Sequence, residues 1–445
     1  MKKFFTFIAS VALIFAASCN KAEIAPSIEP ENTPNEEAVV DETPAQTELL
    51  TVVLNPATKT SLSDKQTVWS EGDEVSVTVD GKVIGTLALV EGNTFSGKVE
   101  AGHEGKAVLN YPAGVTAVPA EQSAVEGSFA NGAALLVGTT TLDDLRSGKG
   151  ATLDNTTALL SFSVKVAGDV AFTLGNTTYT VKGCEANKTY CVCVDPADAG
   201  KLSYAVGIVL GANQKSNFTP EAGKMYTLGE LALKENGIFT VCGDNNSWGD
   251  TMMYETSEDN LFVAYGVNFS SNGKFKIRKY NTWVDDYNYG TTTTTKKSVN
   301  SVVGVYTDGG SLDIQVYAGT YDIYFNRIAG QVYIMEQGKS YTEATQPTTT
   351  TKYSLAGNFA GGGWDDTVEM KYSGDGIWTN VQTFAANNEF KIKNYGNWNS
   401  SWGYNNVTPG KNLVSYSGGN AKVTTAGTYI VGFYKNSNKI TLVKK

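Results

Sequence analysis

Histidine is nearly missing from this chain: there is one in 445 residues, His103, in a Gly-flanked turn. A lone imidazole argues against catalysis by a histidine base and against a multi-histidine metal centre. No arginine precedes Arg146. Acidic residues outnumber basic ones by 45 to 35, and a net charge of -10 argues against nucleic acid as a partner, because phosphate binding needs a basic surface. After Ala17 no apolar run is long enough to cross a bilayer. Cysteine is also scarce. Cys19 ends an apolar N-terminal stretch, and Cys184, Cys191, Cys193 and Cys242 lie in the body of the chain. Cys191 and Cys193 face the same way on a strand. One of them could bridge to Cys184 in an oxidising compartment, or all could be small buried apolar residues. Their spacing is not that of a zinc ribbon, and neither a metal nor a cofactor is expected.

What the chain has is aromatic residues, glycine and threonine. Tyr (23) and Phe (18) dominate the aromatics beside 46 glycines, and leucine is sparse beyond the N-terminus. This is a β-rich composition at a length that accommodates several domains. The fold class expected is all-β, a multidomain chain of tandem β-sandwiches.

Taken in order, residues 1–19 read as a secretory signal: Met1-Lys2-Lys3, an apolar run from Phe4 to Ala17, then Ser18-Cys19. Small residues directly before a cysteine resemble a bacterial lipoprotein signal, although Ala16 stands where such signals usually have Leu. The resemblance implies an acylated Cys19 and an outer-membrane protein that is lipid-anchored without spanning, facing the cell exterior. Residues 20–48 are rich in Glu, Pro, Thr and Asn and read as an acidic disordered tether.

Residues 49–233 read as strands between Gly- and Asn-rich turns, with Asp80-Gly81 as a hairpin turn. Lys59-Thr60-Ser61-Leu62 followed by Val68-Trp69-Ser70-Glu71-Gly72-Asp73-Glu74-Val75 resembles the fimbrillin-like domains of Bacteroidetes lipoproteins. That implies a two-part β-sandwich, with Trp69 as a core or corner aromatic.

The remainder is a repeat: residues 235–338 and 353–445, separated by a Thr-rich linker at 339–352 that suggests two units moving separately. Phe275-Lys276-Ile277-Arg278 recurs as Phe390-Lys391-Ile392-Lys393, and Trp283 recurs as Trp398, each pair 115 residues apart. Alternation sends Phe and Ile into a core and puts Lys276 with Arg278, and Lys391 with Lys393, on the opposite face. Earlier in each unit a Gly/Asn-rich loop ends in Trp248 or Trp364, and later ones carry Tyr287 and Tyr289, or Trp402 and Tyr404. A Thr/Lys loop, Thr291 to Lys297, is present in the first copy only. Flat aromatics beside fixed donors suit sugars, whose apolar ring faces stack on indole while their hydroxyls hydrogen-bond.

The loop Trp, the Phe-Lys-Ile-basic strand, the Trp five residues later and the closing Gly-Thr-Tyr hairpin (Gly319-Thr320-Tyr321, Gly427-Thr428-Tyr429) resemble the SusE/SusF family of outer-membrane starch-binding lipoproteins. The resemblance implies a non-catalytic surface protein that captures starch or another α-glucan. Its partners would be that glucan, the outer membrane and a SusC/SusD-type uptake complex. The implied contacts are Trp248, Lys276, Arg278, Trp283, Tyr287 and Tyr289 in the first repeat. In the second they are Trp364, Lys391, Lys393, Trp398, Trp402 and Tyr404. The chain departs from the family in its fimbrillin-like N-terminal region and in carrying Lys393 where the first copy has Arg278. The alternatives are a fimbrial or adhesin-type subunit and a glycoside hydrolase. For the last, Asp250 and Asp366 recur beside the loop tryptophans, without a convincing second carboxylate.

Overall fold

A computed structural model of the protein describes residues 46–56, 69–308 and 310–445. The signal stretch with Cys19, nearly all of the tether and the Lys59-Thr60-Ser61-Leu62 motif lie outside the described residues. The first strand, Thr47–Pro56, begins two residues before the expected tether boundary. The described chain is all-β and multidomain.

Three hydrophobic cores follow one another along the chain. In the N-terminal region, Asp80 and Gly81 both have positive φ (49° and 80°) and turn strand Glu74–Val79 into Lys82–Glu91. Left-handed backbone at both central positions matches the twist of a tight hairpin. Among the described residues seven strands close here into a barrel, because Thr47–Pro56 pairs in parallel with Ala151–Asn155 (Leu54 opposite Ala151). The first half of this region is thus a closed barrel where a β-sandwich was expected, and the strand that would have been an edge of the sandwich is paired. Trp69 sits at a corner of the barrel, edge-on to Phe95 and Tyr111, with its Nε1 donating to the Leu54 carbonyl at 2.7 Å. The second half packs a sheet containing Gly168–Leu174 and Thr177–Cys184 against one containing Ala158–Ser163 and Thr189–Val194. Cys184, Cys191, Cys193 and Cys242 are all buried. Burial pushes the Cys184 thiol up to about 12.

The two repeats share an architecture with one difference. In the second, Tyr353–Gly357 and Glu389–Asn394 belong to one sheet, and Ile377–Phe384, Gly427–Tyr434 and Lys439–Lys444 to the other. Phe384, Phe390, Ile392, Tyr429 and Phe433 fill the space between. In the first, strand Glu235–Gly243 pairs with both Gly273–Lys279 and Thr251–Glu255 and fuses the two layers into one folded-over sheet. In the second copy the corresponding link is a single bridge, Ser354 to Glu369.

The repeats do not hang loosely on the linker. Tyr306 packs against Tyr434 with ring centroids 3.8 Å apart and planes inclined at 47°. Arg327 Nη2 donates to the Lys444 carbonyl at 2.6 Å, and Lys439 pairs with Asp308. Asp375 accepts from Lys297 Nζ at 2.9 Å and from the Gly304 amide at 3.0 Å. Backbones approach so closely there that a Cβ on Gly304 would lie 2.1 Å from the Gly374 carbonyl oxygen. The Thr/Lys loop unique to the first copy is therefore a docking element. The linker itself is tied down by Tyr341, whose ring packs against Tyr333 and whose hydroxyl donates to Glu258. The expected independent motion is corrected accordingly. The N-terminal region also packs on the first repeat, with Val209 in an apolar cluster with Leu261, Val263, Tyr324 and Met335.

Candidate functional site: two tilted indole pairs

On strand Gly273–Lys279, Phe275 and Ile277 are fully buried in the core, and Lys276 and Arg278 project from the other face. Neither cation simply solvates that face; each is only 7% exposed. Arg278 forms a bidentate fork with Asp250, Nε to Oδ1 at 2.9 Å and Nη2 to Oδ2 at 2.8 Å. Asp250 also accepts from Thr240 Oγ1 at 2.6 Å and from the Asn281 amide at 3.2 Å. Burial opposes ionisation of Asp250. The hydrogen bonds from Arg278, Thr240 and the Asn281 amide outweigh it and hold the carboxyl below the ordinary carboxylate range. The guanidinium, fixed in this way, lies 4.5 Å from the centre of the Trp283 ring.

Trp283 is 47% exposed, and Trp248 lies beside it with centroids 6.2 Å apart and planes at 42°. Trp248 is held by its backbone and by its indole. Ser247 and Trp248 both have positive φ (55° and 64°), uncommon for residues other than glycine. The Trp248 Nε1 donates to Asp244 Oδ1 at 2.9 Å, and Asp244 Oδ2 accepts the Lys274 amide at 3.0 Å.

The second repeat rebuilds the arrangement. Lys393 Nζ donates to Asp366 Oδ1 at 2.6 Å and lies 5.1 Å from the Trp398 ring centre. Asp366 accepts from Ser354 Oγ at 2.6 Å and from the Gly396 amide at 2.7 Å. Trp364 and Trp398 are 41% and 47% exposed, 6.4 Å apart at 38°. Asn281 and Gly396 occupy matching turns, both with positive φ (53° and 82°), which aim their amides at the carboxylate. In both repeats the result is an open, shallow V of two indoles over a buried ion pair. It offers flat apolar faces at an angle.

The structure therefore brings together Trp248, Arg278 and Trp283, and separately Trp364, Lys393 and Trp398. It takes other expected residues away from the rings. Lys276 donates to the Ser311 carbonyl (2.6 Å) and hydroxyl (3.1 Å), pinning a loop, and burial lowers its pKa. Lys391 lies along Gly403 and Gly419. Tyr289 is a core residue whose hydroxyl accepts from Arg327 Nε at 3.2 Å. Trp402 is also core, edge-on to Tyr353, with its Nε1 donating to Asn438. Tyr287 is half-buried against Phe239, and Tyr404 is half-buried beneath Lys411. Sequence reasoning missed Asp250 and Asp366 as the anchors of the cations, and Thr240 and Ser354 as their second donors. The recurrence of Asp-Thr behind each loop Trp (Asp250-Thr251, Asp366-Thr367) was the available signal. It also passed over Tyr280 and Tyr395, exposed at matching positions two residues after each cation.

No family model and no curated protein sequence matches the chain. Solved structures that resemble it include SusF from Bacteroides thetaiotaomicron, at 14% identity and a TM-score of 0.19, over 65% of this chain and 76% of that one. A fimbrial protein from Bacteroides ovatus matches at 13% identity and a TM-score of 0.26, over 50% of this chain and 57% of that one. A streptococcal ancillary pilin matches at 9% identity and a TM-score of 0.21, over 68% of this chain and 93% of that one. Likeness at this level carries no argument about family or ligand, so the functional reading rests on the site.

Proposed function

We propose that this protein is a non-catalytic glycan-binding protein in which two tandem repeats each present a tilted indole pair to starch or a related α-glucan. The observation that carries the reading is the recurrence of one cluster, Trp-Trp-cation-Asp, with nearly the same ring separation and tilt in both repeats. Exposed indoles cost solvation, and burying them against the apolar faces of sugar rings recovers it. Two rings tilted by about 40° fit a curved chain of sugars better than a flat ribbon. Asp250 and Asp366 serve as counterions to Arg278 and Lys393, a role that competes with acid or base work. Together with the sequence resemblance, this favours capture of the polymer over cleavage. The proposed setting is the outer-membrane surface, with Cys19 as the lipid anchor and an uptake complex of the SusC/SusD type as neighbour. Affinity electrophoresis against a panel of polysaccharides tests the reading. Retardation by amylose or amylopectin, lost in the Trp283→Ala/Trp398→Ala protein, supports it. Equal mobility in every gel contradicts it.

A further inference from the structure

The outer face of the second repeat carries a strip of contacts that runs on from its indole pair. Ser354 lies opposite Lys393 on one side and Glu369 on the other, and the Tyr395 amide donates to the Lys352 carbonyl at 3.1 Å. Alternation therefore puts Lys393 and Tyr395, Ser354 and Lys352, and Glu369 and Lys371 on the one face turned away from the core. Tyr395 stands two residues beyond the cation under Trp398, an advance of about 7 Å along an extended strand. It is 44% exposed. Lys352 Nζ lies 5.4 Å from its ring centre and donates to Glu369 Oε2 at 3.0 Å.

Past Lys352 and Glu369 the strip enters a groove of about 500 Å³ between the linker and the strand that carries Lys371. The linker forms the far wall with Thr349 and Thr351. It is held close to the repeat, since a Cβ on Gly374 would lie 3.3 Å from the Pro347 ring. Tyr372, half-buried against Trp378 with ring centroids 4.9 Å apart, gives the floor an aromatic face. Unlike the ion pair beneath the indoles, the polar groups of the groove are within a ligand's reach. Thr351, Glu369 and Lys371 are all exposed, and the Thr351 hydroxyl, Glu369 Oε1 and Lys371 Nζ have no partner among the described residues. A cationic donor, an acceptor and a hydroxyl beside an aromatic face suit the hydroxyls and the C–H face of a pyranose. In the first repeat the matching tyrosine, Tyr280, has Ile238 across from it in place of Lys352. The chain before Ile238 lies directly on strand Thr251–Glu255, with Glu235 opposite Tyr254, where the linker of the second repeat stands off.

We propose that the second repeat's site is the longer of the two: a glucan chain held by Trp364 and Trp398 continues over Tyr395 and into the linker groove, so this repeat reads chain length. The inference rests on the indole reading. It is tested with the full chain in two single-site forms, Trp283→Ala for the second site and Trp398→Ala for the first. Each is titrated calorimetrically with maltotriose and with maltoheptaose. In the Trp283→Ala protein, adding Tyr395→Ala should weaken maltoheptaose binding about tenfold, the low end of what one stacked ring is worth. Adding Lys371→Met should weaken it a few-fold. Maltotriose binding should stay within about twofold in both. In the Trp398→Ala protein neither change should alter either affinity. Both side chains are exposed, and a native-like amide spectrum of each variant separates loss of contact from loss of fold. Maltoheptaose binding unchanged by both substitutions overturns the extension, and so does an equal loss for the two sugars. Failure of the Trp283→Ala protein to bind either sugar overturns the indole reading itself, and the extension with it.

Discussion

At the residue scale the site depends on two aspartates whose partners arrive from different strands. Removing the Asp250 carboxylate leaves the Arg278 guanidinium nearly buried without its counter-charge, and breaking a buried pair from one side costs about 3–5 kcal/mol. Asp250→Ala should therefore lower the chemical-denaturation stability of the first repeat by an amount near the lower end of that range, because the pair keeps some solvent contact. An unchanged midpoint would show that the fork contributes nothing. The pH behaviour follows from the direction of the shift. Asp250 has a folded pKa below its ordinary 3.8, so its ionised state favours the fold at all pH above that value. The contribution is lost as the pH falls through the folded pKa, below 3.8. Binding should be flat from neutral pH down to that range and fail beneath it. A titration that loses binding near neutrality would contradict the ion-pair geometry. Arg278 was legible as a site residue because alternation puts it on the face opposite Phe275 and Ile277. Lys276 obeys the same alternation and was misplaced, since the Ser311 loop that captures it is 35 residues away and leaves no local trace.

At the element scale, the strand and the tryptophan that follows it were readable, whereas the short segments beyond them were not. Trp402 looks like a loop aromatic in the sequence, yet a two-residue strand, Ser401–Trp402, pairs with Ile392 and turns the indole into the core. Pairing of so few residues is decided by tertiary contact, and no periodicity announces it. The barrel in the N-terminal region was hidden for the same reason, because its closure depends on strands about a hundred residues apart. The Thr/Lys loop of the first repeat was visible as an insertion, but its purpose was not. In the structure it delivers Lys297 and Thr292 to Asp375 of the second repeat. Asp375→Ala should therefore loosen the junction. Hydrogen exchange is expected to rise at the Gly304 amide and along Lys371–Gly374 and to stay unchanged in the strands beneath the indoles. Unaltered exchange at Gly304 would mean that the remaining contacts of the junction, Tyr306–Tyr434, Arg327–Lys444 and Lys439–Asp308, hold it without Asp375.

At the scale of the whole molecule, packing of the repeats changes how two sites cooperate. On a flexible linker the second site would search a volume around the first; here the two indole pairs keep a fixed relation, and a polymer must span it. On a short maltooligosaccharide, calorimetry should show either single change, Trp283→Ala or Trp398→Ala, removing one of two indole sites. On a long glucan, each single change should cost far more than a factor of two in retention. Among the described residues no helix is long and apolar enough to cross a membrane. If Cys19 carries the anchor, Cys19→Ala should move the protein from the membrane fraction to the soluble one, and continued pelleting with outer membranes would refute that anchor. The central claim is that the paired indoles, exposed Trp283 beside half-buried Trp248 and exposed Trp364 beside Trp398, hold the glucan. Losing one stacking ring should cost about 1–3 kcal/mol, by analogy with bases stacked on aromatic side chains. The most direct measurement is a pull-down of the full chain on washed insoluble starch, comparing the unaltered protein with Trp283→Ala/Trp398→Ala. Retention of the unaltered protein and none of the double variant is the result predicted. Retention of the double variant at the unaltered level would show that the two tilted indole pairs are not the glucan-binding surface.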